Sequence, residues 1–304
     1  QGQTLTASNT LADADGLGAI SYQWKANGTD ISGATGATYV LTEAEVNKTI
    51  TVVASYTDGH GTPESVSSAA TAVVANVNDA PTGTVTISGT TTQGQTLTAA
   101  NTLADADGLG TISYQWKANG TDIAGATGTT YVLTEAEVNK TITVVGSYTD
   151  GHGTPESVSS VATAAVANAN DAPTGSVTIT GTATQGQTLT ASNTLADADG
   201  LGTISYQWKA NGTDISDATS TTYSLTEAEV NKTITVVASY TDGHGTPESV
   251  SSAATAAVAN VNDAPTGSVT ITGTATQGQT LTASNTLADA DGLGSISYQW
   301  KANG

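Results

Sequence analysis

The sequence predicts an all-β chain of tandem antiparallel sandwiches, on three observations. The heptapeptide Gln-Gly-Gln-Thr-Leu-Thr-Ala begins at Gln1, Gln93, Gln185 and Gln277, and Trp24, Trp116, Trp208 and Trp300 keep the same 92-residue step. Within each repeat, apolar residues alternate with Thr, Ser and Gln at period 2, the spacing of a half-buried strand. Helical periodicity never lasts longer than one turn. A period of 92 residues is too long for a solenoid unit, whose repeats run about 20 to 45 residues, and is large enough to hold a small core of its own. Pro marks the joints Asn78-Asp79-Ala80-Pro81, Asn170-Asp171-Ala172-Pro173 and Asn262-Asp263-Ala264-Pro265, because it forces the preceding residue to be extended. The expected domains are therefore 1–79 (partial, lacking its first strand), 80–171 and 172–263 (complete), and 264–304 (first strands only). That phase is expected of a segment cut from a longer array.

In the second repeat, Val85 and Ile87 mark the first strand, and Leu97, Ala99 and Leu103 the second. Ile112, Tyr114 and Trp116 alternate with Ser113, Gln115 and Lys117 in the third. Tyr131 and Leu133 follow, then Ile142, Val144 and Tyr148, then Val158. Asn119-Gly120, Gly125 and Asp150-Gly151 supply turns. The one helix-like piece, Leu133–Val138, reads as a corner, with Thr134 able to cap a single turn. Trp24 shares a face with Ile20 and Tyr22, which places it in the core. Asn27-Gly28-Thr29 and Asn47-Lys48-Thr49 match a glycosylation sequon, but Asn-Gly is itself a hairpin signal and both are read as turns.

Composition removes several function classes. With 27 acidic residues against 7 Lys and no Arg, the net charge is −20, so neither nucleic acid nor an anionic membrane surface is a suitable partner. Cys is absent, which excludes disulfides and thiolate metal sites. No apolar run approaches the 18 residues of a spanning helix, so membrane insertion is not expected.

At this point the motifs carry a resemblance. Ile112-Ser113-Tyr114-Gln115-Trp116, Thr130-Tyr131-Val132-Leu133-Thr134, Ser147-Tyr148-Thr149-Asp150-Gly151 and the Asn-Asp-Ala-Pro joint resemble the tandem immunoglobulin-like repeats of giant secreted bacterial adhesins, often of the RTX type. The joint is also similar to that of cadherin-like bacterial repeats. The resemblance implies immunoglobulin-like sandwiches at the bacterial cell surface, in a calcium-loaded spacer or adhesive array. The Gly-rich calcium-loading nonapeptide of RTX proteins is missing from this stretch, as is any sugar- or ice-binding module.

In an immunoglobulin-like sandwich the loop after the second strand, the loop between the last two strands and the entry of the first strand share one end. The joint, the Asp-Ala-Asp-Gly loop and the Asp-Gly-His-Gly-Thr-Pro-Glu loop should therefore converge. For the second repeat this gathers Asn78, Asp79, Asp105, Asp107, Asp150 and Glu156; for the third, Asn170, Asp171, Asp197, Asp199, Asp242 and Glu248. The last segment keeps Asn262, Asp263, Asp289 and Asp291, and the first keeps Asp13, Asp15, Asp58 and Glu64. Such carboxylates repel unless a hard cation taking six to eight oxygens sits among them, which points to calcium. The alternative is that these are only turn sequences and solubilising charge. An EF-hand is excluded, since counting twelve from Asp13 lands on Trp24 where a bidentate Glu is required. Asp30, Glu43 and Glu45 read as solvated turn residues.

Rival chemistries fare worse. Asp13 and Asp15 could be cast as a glycosidase pair, but acids clustered at a joint offer no cleft, and no nucleophile with a base partner appears. His60, His152 and His244 each lie between glycines and read as exposed turn residues, since one His per repeat cannot fill a zinc site. The expected protein is non-enzymatic: an extracellular spacer or adhesin array stiffened by calcium, extending adhesive ends or scaffolding a biofilm. Each repeat should advance roughly 35 to 45 Å, from strands of eight to ten residues rising about 3.3 Å each plus the joint. The expected partners are neighbouring repeats and an unidentified surface or matrix target. A self-associating fibre or sheath subunit, pairing identical chains, is the alternative. A carbohydrate-binding module is a second alternative, and an exposed Trp24 would favour it.

Overall fold

The computed structural model describes residues 1–303 and divides into two compact units, Gln1–Asn168 and Ala169–Gly304. Among the described residues every strand pairing is antiparallel and no α-helix occurs.

In the first unit, β1 (Thr4–Thr6), β2 (Ser21–Ala26), β3 (Thr29–Asp30), β4 (Thr38–Val40), β5 (Ile50–Thr57) and β6 (Pro63–Ser67) form the first repeat. The second contains β7 (Val85–Ser88), β8 (Thr96–Asn101), β9 (Ser113–Ala118), β10 (Thr121–Asp122), β11 (Thr130–Val132), β12 (Ile142–Thr149) and β13 (Pro155–Ser159). Its strands make two sheets, ordered β11-β8-β7 and β10-β9-β12-β13. The long β9–β12 ladder sets Trp116 opposite Val144, and β8–β11 sets Leu97 opposite Tyr131. After β13 the chain returns through Val166 and Ala167, which bridge Val138 and Thr92.

The period-2 pattern places its apolar residues where alternation requires. Val85, Leu97, Trp116, Leu133, Ile142, Val144, Tyr148 and Val166 form one buried cluster between the sheets. Trp116 is fully buried, donates its indole N–H to Gly128 O at 2.9 Å and tilts 31° against Tyr131. A buried indole needs such an acceptor, because an unpaired N–H in the core costs about 1–3 kcal/mol. Trp24 and Trp208 are likewise buried, each donating to one carbonyl, whereas Trp300 is half-exposed. The β9–β10 hairpin turns at Asn119 and Gly120, both at positive φ, a geometry that Asn-Gly tolerates.

The expected corner is a 3-10 turn, Glu135–Glu137. Thr134 opens it, and the Glu137 carboxylate accepts from the Thr134 N–H at 3.0 Å and its hydroxyl at 2.7 Å. This corrects one expectation: in the first repeat Glu45 is not solvated but 4% exposed, accepting from the Thr42 N–H at 2.9 Å. A buried carboxylate is tolerated here because a backbone amide and a hydroxyl both serve it. Asp30 is exposed as expected and pairs with Lys25 at 2.9 Å across the hairpin.

The second unit repeats the plan. Here β14 (Val177–Thr180), β15 (Thr188–Asn193) and β18 (Thr222–Ser224) form one sheet. The other is ordered β17 (Thr213–Asp214), β16 (Ser205–Ala210), β19 (Ile234–Thr241) and β20 (Pro247–Ser251). Beyond Pro265, β21 (Val269–Thr272) and β22 (Thr282–Asn285) pair as a two-stranded sheet. Among the described residues no helix is long and apolar enough to cross a membrane.

Candidate metal centre

Each apex is built from turns that the acids themselves hold. In the second repeat Asp105 Oδ1 accepts the Asp107 N–H at 2.9 Å, and Asp105 Oδ2 accepts the Tyr148 hydroxyl, so the first acid of Asp-Ala-Asp-Gly ties its loop to β12. Asp150 Oδ1 accepts the amides of His152 at 2.8 Å and Thr154 at 2.7 Å, closing the second loop. Burial works to raise the Asp150 carboxyl, but the Thr154 and His152 amides outweigh it and hold it below the ordinary Asp value. The two loops are seated on each other by Gly151, whose N–H donates to Asp107 O at 3.0 Å. A Cβ there would stand 2.5 Å from that carbonyl oxygen, so only glycine allows the approach.

The joint crosses this apex. The Asp79 N–H donates to Asp107 Oδ2 at 2.7 Å, while Asp79 Oδ2 accepts from Gln1 Nε2 at 2.7 Å. Asp79 thus links the first repeat to the second, and the Val77 N–H reinforces it by donating to Gln1 Oε1 at 3.2 Å. Asn78 Nδ2 donates to Glu156 Oε1 at 2.7 Å, a strap on the outside of the joint.

What remains is a set of oxygens with nothing to accept. Asp107 Oδ1 and Asp150 Oδ2 are buried without a hydrogen-bond partner, on residues only 4% and 6% exposed, and Glu43 Oε2 and Asn76 Oδ1 are in the same condition. Buried polar atoms in folded proteins are nearly always paired, and two orphaned carboxylate oxygens in one apex with no Lys or Arg bonded to them are costly. The donors are all hard oxygens, so a divalent cation of the calcium class fits them.

Glu43 corrects the sequence reading. It opens the 3-10 turn Glu43–Glu45 of the first repeat, and instead of facing solvent it meets the second repeat's apex, with Glu43 Oε1 3.0 Å from His152 Nε2. His152 is, as a residue, exposed as expected, but its imidazole meets the neighbour's corner and is 24% exposed, against 75% for that of His60. Ligand atoms of Glu43, Asp107 and His152 lie within 4.8 Å of one another. Asn76, three residues before Asp79, was also missed. The available signal was phase: the Glu-Ala-Glu corner lies at the end of its repeat away from its own loops, where the next repeat begins.

In the first repeat Asp13 accepts from the Tyr56 hydroxyl at 2.9 Å and from the Asp15 N–H at 2.9 Å. Asp58 accepts the amides of His60 and Thr62 at 2.9 and 2.7 Å, but Asp15 and Glu64 are exposed.

The second unit repeats both patterns. Asp171 N–H donates to Asp199 Oδ2 at 2.7 Å, Asn170 Nδ2 to Glu248 Oε1 at 2.8 Å, and the Tyr240 hydroxyl to Asp197 Oδ2 at 2.5 Å. Asp199 Oδ1 and Asp242 Oδ2 are buried and unpartnered. At the following joint Asp263 N–H donates to Asp291 Oδ2 at 2.7 Å and Gln185 Nε2 to Asp263 Oδ2 at 2.8 Å. Asn262 turns back on Asp263 O at 3.0 Å, and Asp289 Oδ1 accepts the Asp291 N–H at 3.0 Å. Glu227, Asp263 and Asp291 bring ligand atoms within 4.8 Å of one another. Burial, then the charges of Asp291 and Asp263, raise the Glu227 carboxyl above its ordinary value.

No family model and no curated protein matches the chain. Several solved structures are similar to it over most of their length. The extending region of a large adhesion protein, a tetra-tandem repeat, is 18% identical with a TM-score of 0.30, covering 95% of this chain and 84% of that one. A 1.5-MDa bacterial ice-binding adhesin is 16% identical with a TM-score of 0.27, covering 82% of this chain and 89% of the other. Mouse cadherin-23 EC22-24 is 17% identical with a TM-score of 0.31, covering 83% of this chain and 89% of its own.

Proposed function

We propose that this chain is a stretch of extracellular adhesin array, a non-enzymatic spacer whose joints are held by calcium. The observation that carries the reading is the pairing, at one joint, of a linker amide bound to Asp107 Oδ2 with buried, unpartnered oxygens on Asp107, Asp150 and Glu43. Glu43 comes from the first repeat, Asp79 from the linker, and Asp107 and Asp150 from the second repeat. A cation served by such a set must be served by both repeats at once. When bound it would supply the positive charge that these carboxylates lack, and hinge motion at the joint would then require leaving the ion. Without it the joint relies on a few hydrogen bonds, and repeats with small interfaces swing freely. Calcium is plentiful outside cells and scarce inside, so the array would remain flexible during export and stiffen afterwards, displaying adhesive ends or scaffolding a biofilm.

The test is thermal unfolding and limited proteolysis at the Asp79–Pro81 joint, with millimolar calcium, equal magnesium, or chelator. A ligand bound only by the folded state stabilises by RT ln(1 + [L]/Kd), about 2.7 kcal/mol at a hundredfold excess over Kd. Calcium should raise the melting temperature and protect the joint. Magnesium, which demands near-ideal octahedral geometry and sheds water reluctantly, should do so much less. Identical melting and cleavage in calcium and chelator would reduce these acids to turn residues.

A further inference from the structure

The oxygen-only set explains Asp107 and Asp150 but not the imidazole beside them. His152 Nε2 lies 3.0 Å from Glu43 Oε1, and both share a 4.8 Å neighbourhood with a ligand atom of Asp107, whose Oδ1 is buried and unpartnered. We propose that Glu43, Asp107 and His152 form a second cation site, which takes a divalent transition-metal ion of the imidazole-binding class rather than calcium. This goes beyond the calcium reading and does not need it, although the two share Asp107 and Glu43.

Three features of the site support this assignment. Calcium takes oxygen ligands, whereas imidazole suits zinc, nickel, copper and cobalt, and one nitrogen with two carboxylates is a donor set for that class. Second, a nitrogen and an oxygen 3.0 Å apart can both reach an ion at about 2.1 Å with an angle near 90°, the spacing of adjacent ligands in octahedral coordination. Nickel and cobalt accept that geometry, and the remaining positions would be open to water. Third, the ligands come from two repeats: Glu43 from the first repeat's corner, and Asp107 and His152 from the second repeat's two apical loops. The site therefore exists only where one repeat follows another. His60 supplies an internal control. It occupies the corresponding loop of the first repeat, but its imidazole Nε2 stands 3.8 Å from Asp15 Oδ1, and its side chain is 75% exposed.

The test uses the full chain carrying His244→Ala, so that only His60 and His152 remain, stripped of metal with chelator and dialysed. Nickel and cobalt are titrated in calorimetrically, and the cobalt absorption spectrum reports nitrogen ligation. One ion should bind at the proposed site. His152→Ala should weaken it at least tenfold, with His152→Gln as a second variant if the first alters the loop. Glu43→Gln should weaken it similarly, and His60→Ala should leave it unchanged. Binding equally tight in both His152 variants, or equal weakening by His60→Ala, would overturn the proposal. The calcium-dependent melting shift is measured on the same His152→Ala protein. If the shift persists while nickel binding is lost, two sites share the joint. If the parent shows no calcium shift and nickel binding still depends on His152, only the calcium reading fails.

Discussion

The apices of the first and second repeats are the same sequence in two settings. Asp13, Asp15, Asp58 and His60 correspond to Asp105, Asp107, Asp150 and His152, and the internal bonds match: tyrosine to the first Asp, loop amides to the third. Burial differs. The Asp15 and His60 side chains are 64% and 75% exposed, whereas Asp107 as a residue is 4% exposed and the His152 side chain 24%. In the second repeat the linker amide of Asp79 and the corner of the preceding repeat cover the acids. The loops are therefore folded by their own repeat, and the candidate site is completed by its neighbour. Acids that are merely good turn residues in one setting become desolvated, crowded oxygens in the other.

The comparison is broken most strongly by disrupting what the two apices share. Gly151→Ala and Gly59→Ala would put a Cβ 2.5 and 2.4 Å from the carbonyls of Asp107 and Asp15. Forcing loops apart on that scale costs typically 1–3 kcal/mol, so both variants should lower the unfolding temperature of their own repeat by similar amounts. Only Gly151→Ala should also abolish the calcium increment. A response lost equally in both would mean that the open apex binds the ion unaided.

Asp107→Asn against Asp15→Asn sharpens the same contrast. Asn keeps an oxygen to accept the Asp79 N–H while removing one crowded charge. In chelator Asp107→Asn should therefore be no less stable than the parent, and in calcium it should lose most of the metal-dependent gain. Asp15→Asn, on an exposed side chain, should stay within about 0.5 kcal/mol in either buffer. Destabilisation by Asp107→Asn in chelator would show that the carboxylate charge is itself structural.

The sandwich was legible because its signals are local: alternation places Trp116 opposite Val144, and Asn119-Gly120 can hardly form anything but a tight turn. The convergence of two acidic loops and a joint could also be reasoned out, since all three lie at one end of a single repeat. Glu43 could not, because its partner His152 is 109 residues away in the next repeat and nothing in a turn of Glu-Ala-Glu says which Glu is capped and which is presented. Glu45 and Glu43 look alike in sequence. Position in the 3-10 turn separates them: the third residue reaches back to Thr42, leaving the first to point outward. Gln1 escaped notice as well, since its role depends on the linker returning past it to Asp79.

Acid should not distinguish the two apices when calcium is absent. The Asp58 carboxyl is held down chiefly by the Thr62 amide, and that of Asp150 by the Thr154 and His152 amides against burial. A depressed folded-state value means stability that is present above the unfolded Asp value near 3.9 and lost as pH falls through the folded one. In chelator, both loops should loosen together below about pH 4 on that account, followed by amide exchange at Thr62 and Thr154. Loosening of one loop well before the other would mean that the neighbouring repeat supports the loop fold as well as covering it.

The smallest effect lies away from the apices, at the tyrosines beside the capped glutamates. Burial, and then the Glu137 charge, raise the Tyr131 hydroxyl to about 12, and Glu229 acts likewise on Tyr223, also at about 12. In the first repeat Tyr39 is raised too, by burial and then its hydrogen bond to Glu45. A tyrosine raised in the folded state stabilises fully below the unfolded value near 10, and that contribution is lost as pH rises through 12. Tyrosinate absorbance, read by rapid mixing before alkaline unfolding, should therefore contain a class ionising near pH 12, which disappears in the Tyr131→Phe, Tyr223→Phe double variant. Because burial is the leading cause, Glu137→Gln should bring Tyr131 only part of the way back toward 10. Complete return in that variant would make the glutamate, and not the packing of Tyr131 against Trp116, the principal constraint on this corner of the core.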